Sequence, residues 1–282
     1  MRAALVQMTS GDSPPENLAA ARAYVAEAAS GGADIVLTPE VTNCVSSSRA
    51  HQNAVLSPEA EDPTLAGLRA AAAEHGVSLL IGSLALKTGD ADGRFANRSF
   101  LIGPDGAIAA RYDKIHMFDV VLSETEAYRE SDGFRPGDAA VLADTPLARI
   151  GMTVCYDLRF GYLHRVLAQA GAQILTVPAA FAVPTGKAHW EVLLRARAIE
   201  TGCFVLAPAQ TGRHTGSDGR HRDTWGHAMA VDPWGRVIAD AGTAPGVTLV
   251  DLDLGETDKA RGRVPSLRHD REFTPPTVPG AG

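Results

Sequence analysis

The chain is poor in the residues that would build a disulfide scaffold. It holds three cysteines, Cys44, Cys155 and Cys203, an odd number with no close pair. That argues against a disulfide framework and fits a reducing compartment, so a cytoplasmic location is expected. No apolar run reaches the length of about 18 residues that a membrane-spanning helix needs, and no membrane partner is expected. The opening MRAALVQMT lacks a basic leader ahead of an apolar core, so no secretory signal is expected. Aromatic residues are 6% of the chain, the formal net charge is -7, and no basic stripe is interleaved with aromatics. Nucleic acid is therefore not an expected partner. The segment after the first apolar run, MTSGDSPPEN, has no GxGxxG, which argues against a single dinucleotide-binding sheet.

What is present is a chain of 282 residues with 45% hydrophobic content, enough for a substantial core. The pattern predicts a strand over 2–8, a helix over 16–30 and a strand in ADIVLTPE. A helix over 64–75 follows, then VSLLIGSLAL and a hairpin turning at Asp105-Gly106. The series restarts with a strand at 148–155, a helix at 160–170, the strand AQILTVPAA and a helix at 189–200. CFVLAPA, the hairpin GHAMAVDPWGRVIAD and VTLVDLDL close it. GGADIVLTPE corresponds to AGAQILTVPAA, and RSFLIGPDGAIAA to HAMAVDPWGRVIA, in the same order. This internal duplication predicts an α/β chain folded as a four-layer α-β-β-α sandwich. Long connections at 43–63, 115–140 and 210–225 are expected to wall a pocket above the strand ends. The expected division is one domain over 1–261 and a proline-rich C-terminal arm over 262–282, which can cross a dimer interface.

Three polar residues close strand-like runs: Glu40, Lys114 and Cys155. A carboxylate, an ammonium and a thiol so placed can serve as general base, electrophilic clamp and nucleophile for cleaving a carbon–nitrogen bond through a thioester. The turn after Cys155 aims the Tyr156 backbone N–H at a developing oxyanion. Cys203 reads as a core thiol and Cys44 as a neutral loop cysteine.

The blocks TPE at 38–40, DKIHMFD at 113–119 and VCYDLRF at 154–160 resemble the three catalytic blocks of the nitrilase superfamily of carbon–nitrogen hydrolases. The resemblance runs from residue 2 to about 270. It implies a catalytic Glu40–Lys114–Cys155 triad, no metal, no organic cofactor, and a homodimer pairing through the second half. It also implies that Glu130, in YRESDGFRPGD, orients Lys114 and the substrate amide. GKAHWEVLLRARAIETGCFVLAPAQTGRH and GHAMAVDPWGRV resemble the Nit branch of the superfamily. That branch implies cleavage of the γ-amide of N-(4-carboxy-4-oxobutanoyl)-L-cysteinylglycine, deaminated glutathione, to 2-oxoglutarate and cysteinylglycine. The alternative substrates are 2-oxoglutaramate and 2-oxosuccinamate. All carry a carboxylate near a ketone and need cationic or polar recognition. Arg159 is the expected carboxylate clamp, or else an ion-pair partner of Asp157. His116, Phe181, His189 and Trp190 are expected at the pocket, and Arg213 beside His214 at the leaving-group carboxylate. Lys187 stands where relatives often have proline, and PEVTNC departs from the shorter PENC-like pattern near Cys44.

Overall fold

The structure, a computed structural model, describes residues 1–122, 124 and 127–276. The chain opens with β1 (Arg2–Met8), α1 (Pro14–Ser30) and β2 (Ile35–Leu37). It continues through the short α2 (Arg49–Val55) and α3 (Pro63–His75) into β3 (Ser78–Lys87), β4 (Phe95–Ile102) and β5 (Ile108–Asp113). A small ribbon, β6 (Asp119–Val121) and β7 (Ala127–Arg129), leads to the second half. There β8 (Val141–Asp144), β9 (Arg149–Met152), α4 (Gly161–Gln169), β10 (Ile174–Thr176), α5 (Val183–Thr201) and β11 (Phe204–Ala207) follow. The hairpin β12 (Ala209–Thr215) and β13 (His221–Trp225) precedes β14 (Met229–Val231) and β15 (Val237–Asp240). The chain closes with β16 (Gly246–Asp251) and α6 (Gly255–Arg263).

Two sheets carry the duplication. In the first, β1, β2 and β3 are parallel, β4 and β5 turn back antiparallel, and β16 pairs antiparallel with the other side of β1. In the second, β9, β10 and β11 are parallel, β14 and β15 turn back, and β8 pairs antiparallel with β9. Strand order and direction therefore match between the halves.

The period-two alternation of β1 explains the layering. Ala3 and Leu5 join the core shared with the second sheet, while Ala4, Val6 and Met8 pack with Ala21, Val25, Leu68 and Ala72 of α1 and α3. The second sheet is covered in turn by Leu163 and Leu167 of α4 and by Trp190, Leu194 and Ala198 of α5. The result is the α-β-β-α sandwich that the repeats predict. Proline in the first turn starts α1, α3 and α5, where its missing N–H has no partner to lose. Asp62 also caps α3, accepting from the Leu65 N–H at 2.8 Å.

Three expectations need correcting. The 210–225 stretch is mainly a hairpin, not a loop: β12 and β13 extend the first sheet, and β12 joins β1 in parallel at Gln7 and Met8. The long helix expected at 189–200 begins at Val183. The connection at 43–63 contains α2. At the C-terminus, α6 runs to Arg263, and Asp270 accepts from Gln169 at 2.6 Å and from Arg165 of the same chain. The end of the expected arm, 277–282, lies outside the described residues.

Candidate active site

Each reactive residue stands just beyond a strand, where the ladder ends and the side chain is free to turn into the space between the sheets. Glu40 follows β2. Its segment is pinned by Thr38, whose N–H donates to Leu80 O at 2.9 Å and whose hydroxyl accepts from Gly82 N at 3.1 Å. Gly82 is required there: a Cβ would lie 2.0 Å from Thr38 O and 2.6 Å from Pro178. Lys114 follows β5, its N–H bonded to Asn97 O at 3.0 Å. Cys155 follows β9 and takes φ +49, a left-handed conformation unusual for a side-chain-bearing residue. The bend is held by the Cys155 N–H on Pro178 O at 2.9 Å and by Asp157.

Asp157 is fully buried and joins the elbow to the lysine segment. Its Oδ2 accepts from Val154 N at 2.9 Å and Tyr112 OH at 2.7 Å. Its Oδ1 accepts from His116 N at 3.0 Å and pairs with His116 Nδ1 at 2.6 Å.

The charged centre is compact and mostly buried. Lys114 Nζ donates to Glu40 Oε1 at 2.9 Å and to both oxygens of Glu130 at 2.9 and 2.8 Å. Asn97 Nδ2 bridges the carboxylates, 2.9 Å from Glu40 and 3.2 Å from Glu130. Ala180 N donates to Glu40 Oε2 at 2.9 Å, and Phe118 N to Glu130 Oε2 at 2.6 Å. The Glu40 carboxylate is near enough for its charge to act on the Cys155 thiol.

These contacts set the protonation states. Burial pushes Glu40 up, but Lys114 and the hydrogen bonds outweigh it and hold the carboxyl below its usual range. Burial alone would lower Lys114; Glu130 and Glu40 reverse this and keep it an ammonium. Burial, then the Glu40 charge, push the Cys155 thiol well above its usual value. The resting site is thus a thiol beside an ionised base. Moving the thiol proton to Glu40 adds no charge to the buried cluster. The Tyr156 N–H has no acceptor among the described residues, so it remains available to an oxyanion.

A cavity of about 510 Å³ opens over this centre. Residues from 41–52, 118–134 and 214–222 wall it, and Glu40, Lys114, Glu130, Cys155, Tyr156 and Phe181 line it. Other expected contacts fall elsewhere. Trp190 is 1% exposed and packs in the core, its indole N–H on His227 O at 2.8 Å. Arg213 faces away, paired across the hairpin with Asp223 at 2.9 Å. His189 is exposed, 3.3 Å from Arg159. Arg159 lies behind the lining aromatics, 5.6 Å from the Tyr156 ring and 5.5 Å from Phe181, and makes no ion pair with Asp157. His116 is occupied by Asp157 and Tyr162 and stacks on Phe160. None of these five lines the cavity.

Lys187 is exposed and also outside the lining, whereas His214 and Cys44 are buried within it. Burial, with Asp12 nearby, pushes the Cys44 thiol up to about 12, so it stays unreactive at neutral pH. Asn97, Asp157 and Arg222 escape the sequence reading. Asp157 lies inside the block VCYDLRF without its bracing role being visible, and Asn97 opens the polar stretch NRS within β4.

Comparison with known proteins agrees with this architecture. A Yersinia enterocolitica protein named deaminated glutathione amidase is 40% identical, over 98% of this chain and 94% of its own length. Human Omega-amidase NIT2 is 36% identical, over 96% of this chain and 95% of its own. The crystal structure of the C. elegans NitFhit protein superposes with a TM-score of 0.87 at 33% identity. The match covers 96% of this chain and 65% of that longer protein. The carbon-nitrogen hydrolase family matches residues 2–262, a span that holds every residue of the Glu40–Lys114–Cys155 centre. With nearly the whole chain aligned to relatives at this identity, the protein belongs to the carbon–nitrogen hydrolase family.

Proposed function

We propose that this chain hydrolyses the γ-amide of deaminated glutathione, releasing 2-oxoglutarate and cysteinylglycine through a Cys155 thioester. The observation that carries the reading is the 40% identity, nearly end to end, with a relative of that name. The buried carboxylate, ammonium and thiol support the chemistry. In the first half-reaction Glu40 takes the Cys155 proton as sulfur attacks the amide carbon. Lys114 and the Tyr156 N–H hold the oxyanion, each well-placed donor contributing about 3 kcal/mol. Glu40 then protonates the departing nitrogen, cysteinylglycine leaves, and the acyl group remains on sulfur. In the second half-reaction Glu40 draws a proton from water, hydroxide adds to the thioester, and 2-oxoglutarate and the free thiol are restored. Glu130 positions Lys114 throughout.

The cavity volume of about 510 Å³ suits a dipeptide leaving group, since pockets for drug-sized ligands span roughly 300–1,000 Å³. The second reading is ω-amidase action on 2-oxoglutaramate, favoured by the 36% identity with Omega-amidase NIT2. The same reading includes a homodimer through the second half, supported by exposed Tyr162, Val192, Ile199 and Trp234. It also includes a cytoplasmic setting, supported by three free cysteines. No helix of the described residues is long and apolar enough to cross a membrane.

The test compares kcat/KM on deaminated glutathione and on 2-oxoglutaramate, following 2-oxoglutarate, with Cys155→Ala as control. A clear preference for deaminated glutathione supports the reading. A preference for 2-oxoglutaramate replaces it with ω-amidase.

A further inference from the structure

The cavity cations are not equivalent. Lys114 is answered by Glu40 and Glu130, and Arg220 by Asp218. Arg49 donates to Gly133 O at 2.7 Å and to Gly93 O, and lies 4.0 Å over the Phe95 ring. Arg129, on β7, is exposed, with Asp119 near enough to feel its charge. Among the described residues Arg222 differs from all of these: it is partly buried, and it is held neither by a carboxylate nor, as Arg49 is, by two carbonyls. It reaches the cavity from β13, and its guanidinium lies 5.3 Å from the Tyr128 ring. Nη2 donates to Ala180 O at 2.6 Å, while Nε is buried without an acceptor. Among the described residues no carboxylate pairs with it.

Arg222 is only partly buried, and a guanidinium that lines the cavity with one hydrogen bond made has N–H donors left for a ligand. Its anchor is informative as well. Ala180 offers its carbonyl to Arg222 and its N–H to Glu40, so one residue's backbone ties the cation to the general base. The Arg222 charge is also among those felt by Glu40. An acyl group bonded at Cys155 would carry its far end past this wall.

From this arrangement we infer that Arg222, rather than Arg159, receives the 2-oxo-acid carboxylate of the acyl portion and selects for it. The inference rests on the reading of the substrate class given above. A planar fork suits a carboxylate in two-point contact, which an ammonium cannot copy. Arg222 is then a specificity residue whose removal weakens capture of the acid more than turnover.

The test uses two substrates with the same leaving group: deaminated glutathione, and its analogue with a 4-oxopentanoyl acyl group, in which methyl replaces the carboxylate. Wild type is expected to prefer the acid. Arg222→Met should reduce that preference by about 10- to 100-fold, mostly through KM, as expected for losing a charged hydrogen bond. Arg222→Lys should restore part of it, and Arg159→Met should retain it.

A measurement independent of turnover compares alkylation of Cys155 by iodoacetate and iodoacetamide, followed by mass spectrometry. The iodoacetate-to-iodoacetamide rate ratio should fall in Arg222→Met. Undiminished preference and an unchanged alkylation ratio in Arg222→Met overturn the inference. So does loss of preference in Arg159→Met alone. A wild type indifferent to the carboxylate instead overturns the substrate class itself, and that failure is visible before any variant is made.

Discussion

Replacing Asp157 with Asn removes one charge and one acceptor while keeping the shape. The carboxylate answers donors on both oxygens: Val154 N–H and Tyr112 O–H on one, His116 N–H and the His116 ring on the other. An amide has one oxygen and one NH₂, so the NH₂ must face one of these pairs. The Tyr112 hydroxyl can rotate to accept, and the His116 ring can change tautomer to accept. The backbone N–H beside it cannot. Either orientation therefore strands one buried backbone donor, at Val154 or at His116. An orphaned buried donor costs about 1–3 kcal/mol, and the lost charge assistance raises the total to about 3–5 kcal/mol. Urea denaturation of Asp157→Asn should show that loss. Kinetics should show a fall in kcat with little change in KM, because Val154 precedes Cys155 and His116 follows Lys114 by two residues. A loss below about 1 kcal/mol with wild-type kcat would refute this account of how the elbow is held.

Three further outcomes are expected. Glu130→Gln deprives Lys114 of one of its two carboxylates, and kcat should fall about 10- to 100-fold in steady-state assays; an unchanged kcat would remove Glu130 from the machinery. His164 and His214 are each pushed down to about 4, chiefly by burial, from an ordinary 6.5. The unfolded chain then binds more protons between these limits, so stability is full above about pH 6.5 and declines toward pH 4. Each contributes on the order of 3 kcal/mol, and melting temperatures that stay level across this window would contradict the assignment. Gly82→Ala drives a methyl into Thr38 O at 2.0 Å and Pro39 O at 2.5 Å, with Pro178 close behind. The urea midpoint should drop by the equivalent of about 1–3 kcal/mol, together with activity; a wild-type midpoint would show that the two strand ends can separate.

The proposed centre was legible because Glu40, Lys114 and Cys155 each close a strand-like run, and strand ends are where backbone constraint gives way to side-chain freedom. The layers were legible because the repeated runs alternate or fill as buried strands do. What escaped depended on neighbours distant in sequence. QTGRHTGSDGRHRDTW reads as a loop because its exposed faces are polar, yet β12 and β13 form the extension of a sheet, where one face can meet water. Trp190 resembled a pocket residue through its flanks, while its spacing with Leu194 and Ala198, four residues apart, is that of a buried helical face. Arg213 and Arg222 lie nine residues apart on one hairpin. The register pairs Arg213 with Asp223 and Arg222 with His214 one position along, so the two arginines take opposite faces and only Arg222 meets the cavity. Composition cannot separate two such arginines.

The closure of the first sheet has a consequence for biosynthesis. β1 pairs with β16 from Arg2↔Asp251 to Gln7↔Gly246, and Met1 and Leu252 exchange terminal backbone bonds at 3.0 and 2.8 Å. Gln210, on β12, holds the backbone carbonyl of Glu40 at 3.0 Å. A ribosome therefore releases Cys155 long before the strands that brace Glu40. The nascent chain carries Cys155 before the frame around Glu40 is finished, and that frame is completed only after β12 and β16 have emerged. Enzymatic competence is in this sense a late event of translation, timed by where β16 lies in the reading order.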